Sequence, residues 1–186
     1  DNVCDSGGDA KKIEMEWLNF QQKLFIYISD EIDEDKFTSE FLKNVRYKKD
    51  KTNLIKYVLS KFENNSEFNL FDEKFEIEHI LPREPKLWGL KKIDIKPFVH
   101  QIGNLLVLTK TNNQSASNKV FEDKLEIYKK SKLNLVKDTI EKRKDWNFTK
   151  CETKDFSSIE YRSNELAKKA YKIWYLDLKE KLGQNI

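Results

Sequence analysis

Apolar residues recur at three- and four-residue steps toward both ends of the chain and lose that period in the middle. In "IEMEWLNFQQKLFIYISDEI", residues 13–32, Ile13, Trp17, Phe20, Leu24 and Ile28 form one stripe, the pattern of an amphipathic helix. "TSEFLKNV" opens on Thr38 with Glu40 close behind, a helix-start signal. "TNLIKYVLSKFENN" repeats the stripe through Leu54, Tyr57, Val58 and Phe62 and stops at Asn64-Asn65. The helical period returns after residue 119. Phe121, Leu125 and Tyr128 share a face, and Leu133, Val136 and Ile140 continue it. "SSIEYRSNELAKKAYKIWYLDL" turns Ile159, Leu166, Ala170 and Trp174 inward behind a Ser157 or Ser158 cap. Such stripes build a core and carry no chemistry of their own.

Between them, "KFEIEHILP" alternates Phe75, Ile77 and His79 with Glu76 and Glu78, which predicts a strand ended by Pro82 and Pro85. "REPKLWGLKKIDIKPF" reads as a loop with at most one helical turn around Trp88. Gly103-Asn104 followed by "LLVLT" is a turn feeding a buried strand. "NNQSASN", from Asn112, holds only residues suited to caps and turns. The expected fold is α+β and mostly helical, a strand–loop–strand–helix unit among amphipathic helices. The expected organisation is a flexible lead-in over 1–10, a helical connecting region over 11–70, and the unit with its C-terminal helices over 71–182.

Composition narrows the class. A hydrophobic fraction of 38% against 36% charged is low for a globular chain, but aromatics at 12% speak against disorder. No apolar run approaches the ~20 residues of a membrane span, and no signal-peptide core opens the chain. A cytoplasmic protein is expected. Cys4 and Cys151 form no CxxC pair and read as incidental thiols. The net charge of +3 is uneven: residues 1–75 are net −4 and residues 110–154 net +5. That excess suits phosphate binding, and equally a solvated lysine-rich face.

Chemistry concentrates in the central unit. The chain's two histidines, His79 and His100, lie there with Asn104, Asn112, Asn113 and Asn118. A neutral imidazole accepts a proton, a carboxylate holds a hard cation, and an Asn carbonyl ligates it without adding charge. Glu78 and His79 point to opposite sides of an ideal strand, so one site can use both only at a bent or edge position, which Pro82 favours. From residue types alone, a structural histidine and a metal-assisted hydrolase both remain open.

The set "IEHILP", "HQIGNLLVLTKTNNQSASNKVFEDK" and Tyr128 resembles the C-terminal nuclease domain of GmrSD-type, modification-dependent restriction enzymes. The matching residues are Glu78-His79-Ile80-Leu81-Pro82, Gly103-Asn104-Leu105, Asn113, Ser117-Asn118, Phe121, Lys124 and Tyr128, with Arg162, Leu166 and Trp174 in the closing helix. Arg83 stands where the family usually has Gln, and Leu106 where it usually has Thr. The resemblance implies an HNH, or His-Me finger, endonuclease whose ββα core clasps one metal ion. It implies His79 as general base, and Glu78 and Asn113 as ligands of a single Mg2+ or Mn2+. It makes Asn104 the residue holding the two strands around the base. Asn118, Lys119, Lys124 and Lys129 are the candidate nucleic-acid contacts, with Asn118 better placed to cap or brace the next helix and Lys124 equally suited to a structural role. His100 is a hydrogen-bonded neighbour in the hairpin. It also implies a DNA-cutting module of a prokaryotic restriction or anti-phage protein, behind a ParB-like nucleotide-handling domain. The competing expectation is a helical module that binds nucleic acid or protein around a degenerate nuclease core.

Overall fold

A computed structural model describes residues 32–63, 67–142 and 146–176, with the single residues Met15 and Glu180. The lead-in and almost all of the stripe over 13–32 lie outside the described residues.

Helix α1, Glu34–Asn44, begins before Thr38. Asp33 caps it, its carboxylate accepting from the Lys36 N–H at 2.7 Å, and Glu34 and Asp35 place negative charge at the positive end of the helix. Helix α2, Thr52–Glu63, buries Ile55, Val58, Leu59 and Phe62, while Leu54 and Tyr57 stay 43% and 42% exposed. Its buried stripe is thus turned by about one residue from the expected one. A segment with apolar residues at both 54 and 55, and from 57 through 59, admits two neighbouring stripes, and packing selects between them.

Strands β1, Phe75–His79, and β2, Leu105–Thr109, pair antiparallel from Phe75↔Thr109 to His79↔Leu105. The connection between them holds a 3-10 turn, Pro85–Trp88, and the short helix α3, Lys92–Ile95. Among the described residues, four α-helices follow β2: α4, Lys110–Ala116; α5, Phe121–Tyr128; α6, Asn134–Glu141; and α7, Ser157–Ala170. A π-helical turn, Tyr171–Leu176, continues α7. The fold is therefore α+β, mostly helical with a small two-stranded sheet. Helix α4 occupies residues expected as turn. Its sequence is polar and only Ala116 is buried, so composition gave no sign of it. The Thr109 hydroxyl caps it, accepting from the Asn112 N–H, and it packs on both strands.

β2 is apolar without a break because both its faces are covered. Leu105 through Leu108 are all buried, and β2 packs against α2, α4 and α6. Phe41 of α1 and Ile55 of α2 enter the same core as Ile80, Phe121, Val136, Phe148 and Ile159.

The turn before β2 is held from one side by α7. Gly103 sits so close to that helix that an added Cβ would lie 2.2 Å from the Ile159 carbonyl oxygen and 2.4 Å from Ser163 Oγ. Ser163 Oγ accepts from the Gly103 N–H at 3.0 Å and donates to the Ile159 carbonyl at 2.7 Å. Arg162, fully buried, donates through Nη1 to the carbonyls of Gly103 at 2.7 Å and Leu105 at 3.0 Å, and its guanidinium lies 5.3 Å from the Trp146 ring. Burial lowers its pKa to about 10, so it stays charged at neutral pH. Gly103→Ala is expected to cost about 1–3 kcal/mol, the usual range for forcing extra atoms into a packed site. Urea unfolding measures it, and an unchanged midpoint would mean that α7 does not press on the turn.

Candidate active site

β1 delivers Glu78 and His79 to its C-terminal end, and the surrounding contacts fix that end on both sides. Asn104, buried at the start of β2, spans to the chain just past β1. Its Nδ2 donates to the carbonyls of Leu81 at 2.9 Å and Val99 at 2.8 Å, and its Oδ1 accepts from the Leu81 N–H at 2.7 Å. Ile80 N–H donates to the Asn104 carbonyl at 2.9 Å, extending the ladder by one rung. Asn104 thus acts as a brace. With no exposed surface it positions the strand end and does not reach a ligand.

Glu76 and Glu78 share one face of β1, two residues apart, and α4 and α5 cover that face. Glu78 Oε1 accepts from Lys124 Nζ at 2.7 Å and from Tyr128 OH at 2.8 Å, and Lys124 Nζ also donates to the His79 carbonyl at 2.8 Å. Burial raises the Glu78 pKa and lowers that of Lys124, both toward the neutral pair, while their mutual attraction opposes this. Lys124 has no exposed surface, so of its two expected roles, structural and DNA-contacting, the structure favours the first, in a buried ion pair. A lysine at helical spacing from Phe121 and Tyr128 lies on the buried stripe of α5, and its stem fits there because Glu78 receives its charge.

Asn113 Nδ2 donates to Glu76 Oε2 at 2.8 Å. That bond turns the amide so that its carbonyl oxygen, the atom able to ligate a cation, is the one not held by Glu76. Glu76 received no role from the sequence. The only signal was its two-residue spacing from Glu78, which any half-buried strand shows.

His79 is 8% exposed. Its Nε2 lies 3.3 Å from His100 Nδ1, and the Tyr47 ring meets it edge-on at 4.8 Å. Burial, followed by the positive charge of Arg83, lowers its pKa to about 3, so the imidazole is neutral at physiological pH.

These groups line one cleft of about 1020 Å³, bounded by Glu78, His79, His100, Asn113, Asn118 and the wall formed by the connection between the strands. Arg83, Lys92 and Lys96 stand on that wall. Lys92 pairs with Glu84 at 2.5 Å, whereas neither Arg83 nor Lys96 makes an ion pair among the described residues. Trp88 anchors the wall, its Nε1 donating to the Lys119 carbonyl at 2.9 Å between α4 and α5. The positive side of the cleft therefore comes from residues 83–96, and the lining contributed by the stretch after residue 110 is uncharged.

Asn118 follows Ser117, whose φ of 40° is rare for a residue with a side chain. Asn118 does not cap α5, which starts behind Val120 with no side-chain cap, so the expected bracing role is replaced by a place on the cleft rim. Lys119 and Lys129 are exposed, and Lys129 pairs with Glu126 on its own helix.

For a hard divalent cation the donor set is chemically suitable, since Glu78 and Asn113 offer oxygens on one cleft and the neighbouring imidazole is uncharged. No group of three or more His, Cys, Asp or Glu side chains gathers as a metal cluster among the described residues, so any ion here would rely on the amide and further oxygens. Cys151 is buried, and its thiol is pushed up to about 12, which excludes it as a nucleophile at neutral pH.

Fold and site together define a small α+β domain with an acid, a neutral histidine and an amide at one strand–helix junction, beside a basic wall. The chain belongs to the family described as GmrSD restriction endonucleases, C-terminal domain, whose model matches residues 31–169. No curated protein and no solved structure matches it. No helix among the described residues is long and apolar enough to cross a membrane.

Proposed function

We propose that this domain is a metal-dependent DNA endonuclease of the HNH type and the cutting module of a prokaryotic restriction or anti-phage protein. The observation that carries the reading is the convergence of His79, Glu78 and Asn113 on one basic cleft. His79 takes the proton of the attacking water, and its neutral imidazole has a vacant nitrogen for it. Glu78 and Asn113 would hold a Mg2+ or Mn2+ ion, which when bound supplies stabilisation of the negative charge that develops at the phosphate and the leaving oxygen. Lys124 and Tyr128 hold Glu78, and Glu76 holds Asn113, so both oxygen donors are set before substrate arrives. Arg83 and Lys96 receive phosphates of the backbone. An anion beside Arg83 offsets the charge that depresses His79, so the imidazole gains basicity as DNA enters the cleft. A ParB-like domain, N-terminal to the nuclease domain in the full-length protein, would control access, as the family resemblance implies.

Manganese titration by calorimetry tests the ligand assignment. Asn113→Ala is expected to weaken the ion's affinity by about 10-fold or more and Glu76→Ala by less, whereas Glu76→Gln, which still accepts the amide proton, retains it. Asn118→Ala should leave metal affinity and stability nearly unchanged. Loss of the ion in Asn118→Ala with retention in Asn113→Ala would reverse the assignment.

DNA binding tests the basic wall. Removing both Arg83 and Lys96 should lower the slope of log affinity against log salt by about 2, one phosphate contact each. A larger drop on removing Lys119 and Lys129 would move the DNA path onto α5.

A further inference from the structure

We propose that His100 is a positioning residue for His79, holding it in the tautomer that carries its proton on Nε2 and leaves Nδ1 bare. The proposal rests on the reading of His79 as the base. Its starting observation is the 3.3 Å approach of His79 Nε2 to His100 Nδ1, with the two rings at 80° to each other.

Two neutral imidazoles in contact through these atoms can share only one proton between them. Either His79 donates from Nε2 and His100 accepts at Nδ1, or the roles are exchanged. In the first arrangement both rings carry hydrogen on Nε2, the form neutral histidine prefers on its own, and the bare nitrogen of His79 is Nδ1. In the second, His79 spends its lone pair on His100 and turns an N–H outward. Only the first leaves a base, because the proton on one ring nitrogen is set by the bond the other makes.

The surroundings keep both rings neutral and in place. Burial lowers the pKa of each, and Arg83 adds to this for both. Tyr47 is the common support: it stacks on His100 at 5.7 Å and meets His79 edge-on at 4.8 Å. The Tyr47 N–H donates to the His100 carbonyl at 2.9 Å, and a bridge between Arg46 and Gln101 ties the two segments together. His100, which accepts from His79, is therefore tied to a second backbone segment and held by an aromatic ring.

The test separates tautomer from turnover. Nitrogen-15 correlation spectra of the imidazoles, taken without metal or DNA, are expected to show hydrogen on Nε2 of His79 in the wild type. His100→Ala should give a mixture of tautomers at His79, and His100→Asn, whose carbonyl oxygen can accept the same proton, should restore the single form. In cleavage assays His100→Ala should lower kcat by about 10–100-fold with KM for DNA little changed. His100→Asn should recover part of it, and adding His100→Ala to His79→Ala should change nothing further. Hydrogen on Nδ1 of His79 in the wild type, or a His79 tautomer indifferent to His100→Ala, overturns the proposal. A chain that shows the expected tautomers and never cuts DNA leaves the positioning intact and overturns the role of His79 as base.

Discussion

His79→Ala is expected to slow DNA cleavage by about 10²–10⁴-fold, the usual loss on removing a general base, with DNA affinity nearly unchanged. The proposed phosphate contacts are Arg83 and Lys96 on the cleft wall, and the strand end is held by Asn104 and Lys124, so removing the imidazole is expected to leave binding and scaffold in place. The same variant has a second signature in stability. The His79 pKa falls from 6.5 when unfolded to about 3 when folded. Above pH 6.5 neither state protonates it and its contribution is fully present. As pH falls from 6.5 toward 3, the unfolded chain binds a proton that the folded chain does not, and stability drops by up to about 1.4 kcal/mol per pH unit. His79→Ala lacks that slope, so acid unfolding of the variant should move to lower pH relative to its own neutral stability. Cleavage near the wild-type rate would remove His79 from the mechanism, and an unaltered acid slope would place the titration elsewhere.

Lys124→Ala is expected to cost about 3–5 kcal/mol, the range for removing one partner of a buried ion pair. Glu78 is 4% exposed, and without Lys124 its carboxylate keeps only the Tyr128 hydroxyl as a side-chain partner while the His79 carbonyl loses its donor. Pairing Lys124→Met with Glu78→Gln should recover most of that stability, because no uncompensated charge then remains. The double variant should still fail to cut, since it loses the carboxylate assigned to the ion. Urea unfolding read beside cleavage separates the two effects. If Lys124→Ala keeps its stability and loses DNA affinity, Lys124 is a surface contact and not a buried brace.

These two residues show what the sequence made legible. The Glu78-His79 pair at the end of an alternating strand, the turn at Gly103-Asn104 and the unbroken apolar run of β2 all follow from local pattern, and each sits where the pattern predicts. What stayed hidden was decided by partners distant in the chain. Lys124 looks like any helical lysine until Glu78, 46 residues away, is found beneath it. Glu76 looks like the polar face of a strand until Asn113 leans on it. His100 was expected as a hydrogen-bonded neighbour in the hairpin, but that its partner is the His79 ring itself is decided by the fold. Residue pattern alone did not show helix α4, because its residues favour caps and turns; the Thr109 cap and packing on both strands and on α5 accompany its helical form. The buried stripe of α2 was misplaced by about one residue because adjacent apolar positions leave the choice of face to packing.

Cutting itself is the most direct test of the central claim. Supercoiled plasmid incubated with the chain in Mg2+ or Mn2+ should be nicked or linearised, chelation with EDTA should stop it, and His79→Ala should stop it with the metal present. Retarded DNA on a gel with no cutting in either ion would contradict the account and leave a nucleic-acid-binding module, and cutting that persists in EDTA would contradict the assignment of Glu78 and Asn113 to a metal.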